Sequence, residues 1–230
     1  MVPLSFADEE WWLTGSGALF RPRSATLLVA DLHLEKASFY ATYGQMLPPY
    51  DSRETLGRLA DAIRQTGARR VFCLGDSFHD RGGFSRMEPH AAGMLAALTR
   101  ATDWVWITGN HDAQGTPENL GTVASEAEEA GIVLRHQALT GETRPEISGH
   151  FHPRLCLTVR ERHIRRPCAV LGEDRNGPSR MILPAFGALT GGMDAADPAI
   201  IAAMQPARAI DAVLPAQGRL TRFPLWRAEK

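Results

Sequence analysis

The chain has 230 residues, enough for one well-buried domain, and its 25 Lys and Arg against 26 Asp and Glu give a net charge of −1. That balance gives no broad electrostatic basis for binding nucleic acid or a membrane, and no apolar run approaches the ~18 residues of a membrane span. Cys73, Cys156 and Cys168 form no CxxC pair, which argues against a disulfide scaffold, and the opening MVPLSFADEEWW lacks a basic region followed by an apolar core; both fit a cytoplasmic protein.

Short apolar runs at residues 4–6, 11–13 and 18–20 alternate with turn residues and predict a β-meander. The continuous apolar run at residues 25–30 reads as a buried central strand. Asp51, with Glu54 three residues on, predicts a capped helix start; Leu56, Leu59, Ala60 and Ile63 follow at helical spacing, and Gly67 suits the stop. Then come a strand at 71–74, a helix at 89–99, a strand at 104–107, a helix at 123–130 and a strand at 132–134. Strand and helix in alternation imply a parallel sheet with crossover helices. Beyond residue 154 the pattern changes to short strands, at 155–159, 168–171, 181–183, 209–214 and 220–223, and predicts a β-rich layer packed on the first half. No repeat or polar linker divides the chain, so residues 1–230 are expected to form a single domain. The basic run RERHIRR at 160–166 reads either as a phosphate-contacting strand or as a solvated face.

Polar residues fall where these apolar strands end. The run 25–30 leads into Asp31-x-His33, 71–74 into Gly75-Asp76, 104–107 into Thr108-Gly-Asn-His-Asp112, and 147–148 into Gly149-His150-x-His152. In a parallel α/β sheet the carboxyl ends of the strands share one edge, where ligands bind. The spacing of two in Asp31-x-His33 and His150-x-His152 puts paired side chains on one side of an extended segment. Alone, each motif has an ordinary explanation: a turn, a helix cap, a surface histidine. Together they are a ligand set of carboxylates, one amide and several imidazoles without thiolate, which suits Mn²⁺, Fe²⁺ or Zn²⁺ better than Ca²⁺. Asp76, on a glycine-preceded turn between the other groups in chain order, is the best candidate for a carboxylate shared by two cations.

In this order, over residues 31–153, the motifs resemble those of the calcineurin-like metallophosphoesterase superfamily. The resemblance implies an α/β fold, a four-layer α/β/β/α sandwich of two mixed sheets flanked by helices. The runs ADLHLEK (30–36), LGDSFH (74–79), SGHFHP (148–153) and LPAFGALTGG (183–192) are most similar to a small bacterial branch, the ligase-associated DNA damage response endonucleases of the PdeM type. Carried onto this chain, the resemblance implies one metal on Asp31, His33, Asp76 and His152. The second is implied on Asp76, Asn110, His150 and one further histidine, for which His136 is the only candidate in the interval before Gly149. His111 is then the catalytic group that protonates the leaving oxygen or stabilises transition-state charge, with Asp112 as its orienting partner.

Two departures point away from phosphoprotein phosphatases: GDSFHDR stands where those enzymes carry GDxxDRG, and Asp112 stands where they carry Glu. His79 and Arg81 are candidate substrate contacts, and Arg86, Arg144 and Arg154 lie near the motifs. The implied activity is a two-metal, Mn²⁺-dependent hydrolysis of DNA phosphodiesters by an endonuclease of bacterial DNA repair, without a covalent phospho-enzyme. The implied partners are DNA and repair proteins such as a ligase, an exonuclease and a helicase, with no membrane. The alternatives are a small-molecule phosphodiesterase or nucleotide phosphatase and, from another class, a metal-depleted interaction scaffold.

Overall fold

The computed structural model describes residues 1–112, 118–173 and 179–228. Two seven-stranded mixed sheets carry the molecule. The first begins with an antiparallel meander, β1 (Val2–Phe6), β2 (Glu9–Leu13) and β3 (Leu19–Arg21), which pairs antiparallel with β4 (Thr26–Val29). After the short helix α1 (Lys36–Thr42) and the long α2 (Asp51–Thr66), β5 (Arg70–Leu74) joins β4 in parallel. Helices α3 (Gly83–Arg86) and α4 (Pro89–Ala101) lead to β6 (Asp103–Ile107), parallel to β5, and β7 (Thr122–Ala124) closes that edge.

The second sheet opens with β8 (Glu126–Glu129), β9 (Ile132–Arg135) and β10 (Glu146–Ser148). A separate hairpin follows, β11 (Arg154–Val159) and β12 (Arg162–Pro167), and then β13 (Ala169–Glu173), β14 (Arg180–Ile182), α5 (Pro198–Ala203), β15 (Ala209–Ala216) and β16 (Arg219–Arg227). Its strand order is β16-β15-β13-β14-β10-β9-β8, with β9, β10 and β14 parallel.

Period-two alternation sorts the side chains into layers. In β4 and β5, Leu28, Phe72 and Leu74 face the second sheet, where they meet Leu134, Ile147, Leu171 and Met181 in the central core. Leu27, Val29, Val71 and Cys73 face the other way, onto Leu56 and Leu59 of α2 and Leu95 of α4. The far side of the second sheet is covered by Ile200 and Met204, at and just after α5, packed on Val170, Ile182 and Ile210. The four-layer arrangement is therefore present, with a fourth layer reduced to one short helix and the β11–β12 hairpin.

Two local expectations are corrected, and the basic run is placed. Residues 123–130 are not a helix: β7 pairs with β6 in the first sheet, and β8 pairs with β9 in the second. Here sheet-edge pairing overrides the helical pattern, and Glu126 faces its register partner Arg135 in an ion pair of 3.2 Å. Asp51 does not cap α2; Tyr50 holds that position without a side-chain bond, and the Asp51 carboxylate instead accepts the Ala37 N–H at 3.1 Å. The basic run at 160–166 forms the exposed turn and strand of the β11–β12 hairpin, where Arg160 and Glu161 both have positive φ.

Candidate metal centre

The parallel strands β4, β5 and β6 of one sheet and β9 and β10 of the other end at a common edge. Asp31, Asp76, Asn110, His136 and His150 each follow one of these ends within a few residues. The Asp31 and Asp76 turns interlock through backbone bonds: Asp31 N–H donates to Gly75 O at 3.2 Å and His33 N–H to Asp76 O at 2.9 Å.

The two-residue spacings work differently from the expectation. The segments are not extended: Asp31, His33, His150 and His152 have φ of 53°, 45°, 74° and 49°, all left-handed. Each pair converges because both of its members turn into a conformation that L-residues rarely adopt, and such strain concentrates at functional sites. Two glycines make the approach possible. A Cβ at Gly109 would lie 2.3 Å from Asp76 Oδ1, and one at Gly149 would lie 2.6 Å from Asp31 Oδ2.

The side chains form two adjoining clusters. In one, Asp31, His33 and His152 each present a ligand atom within 4.8 Å of the others. His33 Nε2 and His152 Nε2 face each other at 3.2 Å, and His152 Nε2 lies 3.4 Å from Asp31 Oδ1. The other cluster is Asp31, Asp76 and His136. Asp31 is therefore common to both, a role the sequence had suggested for Asp76 alone. Asp76 Oδ2 nevertheless sits between them, 3.8 Å from His33 Nε2 and 3.5 Å from His136 Nε2. His136 Nδ1 lies 3.1 Å from the Leu74 carbonyl, which can only accept, so Nδ1 donates there and Nε2 is the ring nitrogen turned to the cluster. His150 Nδ1 is 3.0 Å from that Nε2, and the Asn110 amide is 3.4 Å from His150 Nδ1.

The electrostatics fit a cation. Asp31 and Asp76 are 0% and 4% exposed, and among the described residues neither is paired with a lysine or arginine. Buried carboxylates without a compensating positive charge are costly. Two of the imidazoles are held away from the charged form. Burial first, then the neighbouring His152 and Lys36, lowers the His33 pKa to about 2. Burial and then His136 lower that of His150. Neutral imidazoles and anionic carboxylates are the protonation states a divalent metal takes.

Around this centre, His111 is half exposed, with Nε2 3.9 Å from Asp76 Oδ2, and its backbone N–H donates to Asp76 Oδ1 at 2.9 Å. Asp112 does not hold the His111 ring, as had been expected. Its carboxylate accepts the N–H groups of Ser77, Phe78 and Gly109 at 2.9, 3.2 and 3.0 Å, and so ties the Asp76 turn to the Asn110 turn. Burial raises its pKa to about 6 against the pull of those donors.

His79 does reach the centre: its ring stacks on His111 at 5.4 Å and 16°, and its Nδ1 lies 3.4 Å from His33 Nδ1. Burial, then Lys36 and His111, lowers its pKa to about 4. Arg81 is exposed and makes no described contact with the cluster. Arg86 is taken by Asp80, and Arg144 by Glu142 at 2.9 Å. The residue that sequence reasoning passed over is Lys36, whose ammonium acts on both His33 and His79. Its signal was its position, three residues after His33 at the first turn of α1. A groove of about 290 Å³ opens beside Asn110 and His136.

Buried carboxylates and imidazoles gathered where two mixed sheets meet form a candidate centre for divalent metal ions. The model of the calcineurin-like phosphoesterase family matches residues 25–151, and the chain belongs to that family. It is therefore a hydrolase acting on phosphoester bonds, and the family implies divalent metal ions. Among solved structures, the chain is similar to the nuclease MPE of Pseudomonas putida: 26% identity, TM-score 0.69, covering 96% of this chain and 98% of that one. It also matches the phosphoesterase Yfce of E. coli at 13% identity and TM-score 0.43, covering 87% and 98% of the two chains. No curated protein matches the chain in sequence. None of the described helices is long and apolar enough to cross a membrane.

Proposed function

We propose that this phosphoesterase is a binuclear, Mn²⁺-dependent endonuclease that cleaves DNA phosphodiesters in bacterial DNA repair. One cation would be held by Asp31, His33, Asp76 and His152, and the second by Asp76, Asn110, His136 and His150, with Asp31 bordering both. The observation that carries the metal reading is the pair of ligand clusters sharing Asp31, with Asp76 Oδ2 between their histidines. The likeness to a nuclease over nearly the whole of both chains supports the substrate class. When bound, two such cations supply an activated water and neutralise charge developing on the phosphate oxygens.

The chain's own groups do the rest. His111, half exposed and adjacent to Asp76, is placed to give a proton to the departing oxygen. His79 stacks on its ring and limits how the imidazole can tilt. Lys36 adds a positive charge near His79 and His33, where a substrate phosphate would draw on it. Asp112 keeps the Asp76 and Asn110 turns in register. Repair proteins such as a ligase, exonuclease or helicase would act on the nicked product in the cytoplasm, where the exposed Cys156 thiol stays reduced.

The test is linearisation of a covalently closed single-stranded DNA circle, with bis-p-nitrophenyl phosphate as the small substrate. Mn²⁺-dependent nicking that is lost in Asp76→Ala supports the reading. Hydrolysis of the small ester with no nicking would keep the metal chemistry and sink the nuclease claim.

A further inference from the structure

A second polar cavity lies outside the metal centre. It has a volume of about 210 Å³, room for roughly seven waters at ~30 Å³ each, and lies between the loop at residues 14–17, α2 and the loop at residues 184–190. Three arginines line it, Arg58, Arg154 and Arg166, together with the hydroxyl residues Thr14, Ser16 and Thr190. Its described lining contains no Asp or Glu.

The missing carboxylate is informative in a chain where acids outnumber bases and where Arg21, Arg70, Arg86, Arg135, Arg144, Arg180, Arg222 and Arg227 all have carboxylate partners. Among the described residues, none of the three cavity arginines is in an ion pair. Arg58 and Arg154 are half-buried, and their guanidinium groups are held by backbone: Arg58 Nη2 donates to Ser16 O at 3.3 Å, and Arg154 Nη2 to Thr190 O at 3.1 Å. Arg58 also lies over the Phe186 ring at 5.0 Å. Each guanidinium has five N–H donors, so these bonds fix the groups and leave most donors for a ligand. Planar forks of this kind match oxyanions, phosphate above all. The cavity wall is also tied to the metal-site turn, through Phe186 N–H to Ala30 O at 2.8 Å and Gly187 N–H to Asp31 O at 3.2 Å.

We propose that this cavity is an oxyanion site for a phosphate group, distinct from the metal centre. The group can come from a phosphodiester of a bound strand or from a separate phosphorylated compound. The site itself stands without the nuclease reading.

Calorimetry with inorganic phosphate on the full chain in chelator isolates this cavity, because no metal is then present to take the anion. The expected result is one phosphate per chain, bound about tenfold or more weakly by Arg58→Gln and by Arg166→Gln. Arg166 is exposed with no described bond, so its replacement tests the site even if Arg58→Gln fails to fold. In Mn²⁺, a raised KM for DNA in the same variants, with a salt slope reduced by about 0.7 per arginine, assigns the phosphate to the strand. An unchanged KM for DNA with phosphate binding weakened assigns it to a separate compound. Wild-type protein that binds no phosphate in chelator, or variants that bind it as tightly as wild type, would overturn the proposal. Wild type that binds phosphate yet never cuts DNA would sink the nuclease reading and leave this one standing.

Discussion

Gly109→Ala tests the close packing of the metal centre with a single methyl group. Its Cβ would fall 2.3 Å from Asp76 Oδ1 and 2.4 Å from Asp76 N. Ordinary contact begins near 3.4 Å, so Asp76 must withdraw by about 1.1 Å. That withdrawal also disturbs the bond from His111 N–H to Asp76 Oδ1, now 2.9 Å. A displacement of ~1 Å in a catalytic constellation costs on the order of 10²-fold in rate, and overpacking of this kind costs about 1–3 kcal/mol of stability. Gly93→Ala is the control: it lies within α4 with nothing within 4 Å of the added carbon, and a helical Gly→Ala change is neutral or stabilising by up to ~1 kcal/mol. Turnover of bis-p-nitrophenyl phosphate in saturating Mn²⁺, bound metal by elemental analysis and Tm would be read on both. A Gly109→Ala enzyme with wild-type rate and metal content would refute the placement of Asp76 against the Asn110 turn.

Three further outcomes follow from the same geometry. His111→Ala should lower kcat by about 10²–10⁴-fold, the usual contribution of a positioned acid, while two metals stay bound; loss of both metals would make His111 a ligand instead. The metal-free chain should lose stability as pH falls below 6.5. The lowered pKa values of His33, His79 and His150 mean that the unfolded state binds more protons there, over a window reaching down to about 4 for His79 and about 2 for His33. Asp112, raised from 3.8 to about 6, and Glu146, raised by burial, act in the opposite sense, two groups against three; urea midpoints that rise on acidification from pH 6.5 to 4.5 would contradict the assignment. Glu146→Ala should cost about 3–5 kcal/mol in urea unfolding, because it strands the buried Arg180, 3.3 Å away, and weakens the hold on Arg135; a change below 1 kcal/mol would show the pair to be dispensable.

Much of the fold was legible because two signals are local. Burial on both faces of β4, β5 and most of β6 follows directly from the continuous apolar runs, and the ligand residues announce themselves by following strand ends. The gathering of Asp31, His33, Asp76, Asn110, His136, His150 and His152 at one edge could be anticipated from parallel pairing. Their actual conformation could not, because nothing in a D-x-H or H-x-H string specifies left-handed backbone at both ends; the interlocked turns at Gly75 and Gly149 impose it. Residues 123–130 misled for a related reason. Val123, Ala127 and Ala130 fit a helical face, but the chain at that point crosses from one sheet edge to the other, and only tertiary pairing decides it. Asp51 was expected to cap its own helix and Asp112 to hold His111, whereas Asp51 bonds a backbone donor 14 residues away and Asp112 bonds two about 35 residues away besides that of Gly109. Short polar side chains take whichever donor the fold presents, and sequence spacing reports only the near ones.

The most direct test of the binuclear centre is the number of Mn²⁺ ions bound per chain at saturation, read by calorimetry and by electron paramagnetic resonance. The account predicts two, magnetically coupled through a shared carboxylate, with neither bound at full affinity in Asp31→Ala or Asp76→Ala. A single Mn²⁺ per wild-type chain, or two uncoupled ions that survive both substitutions, would contradict it.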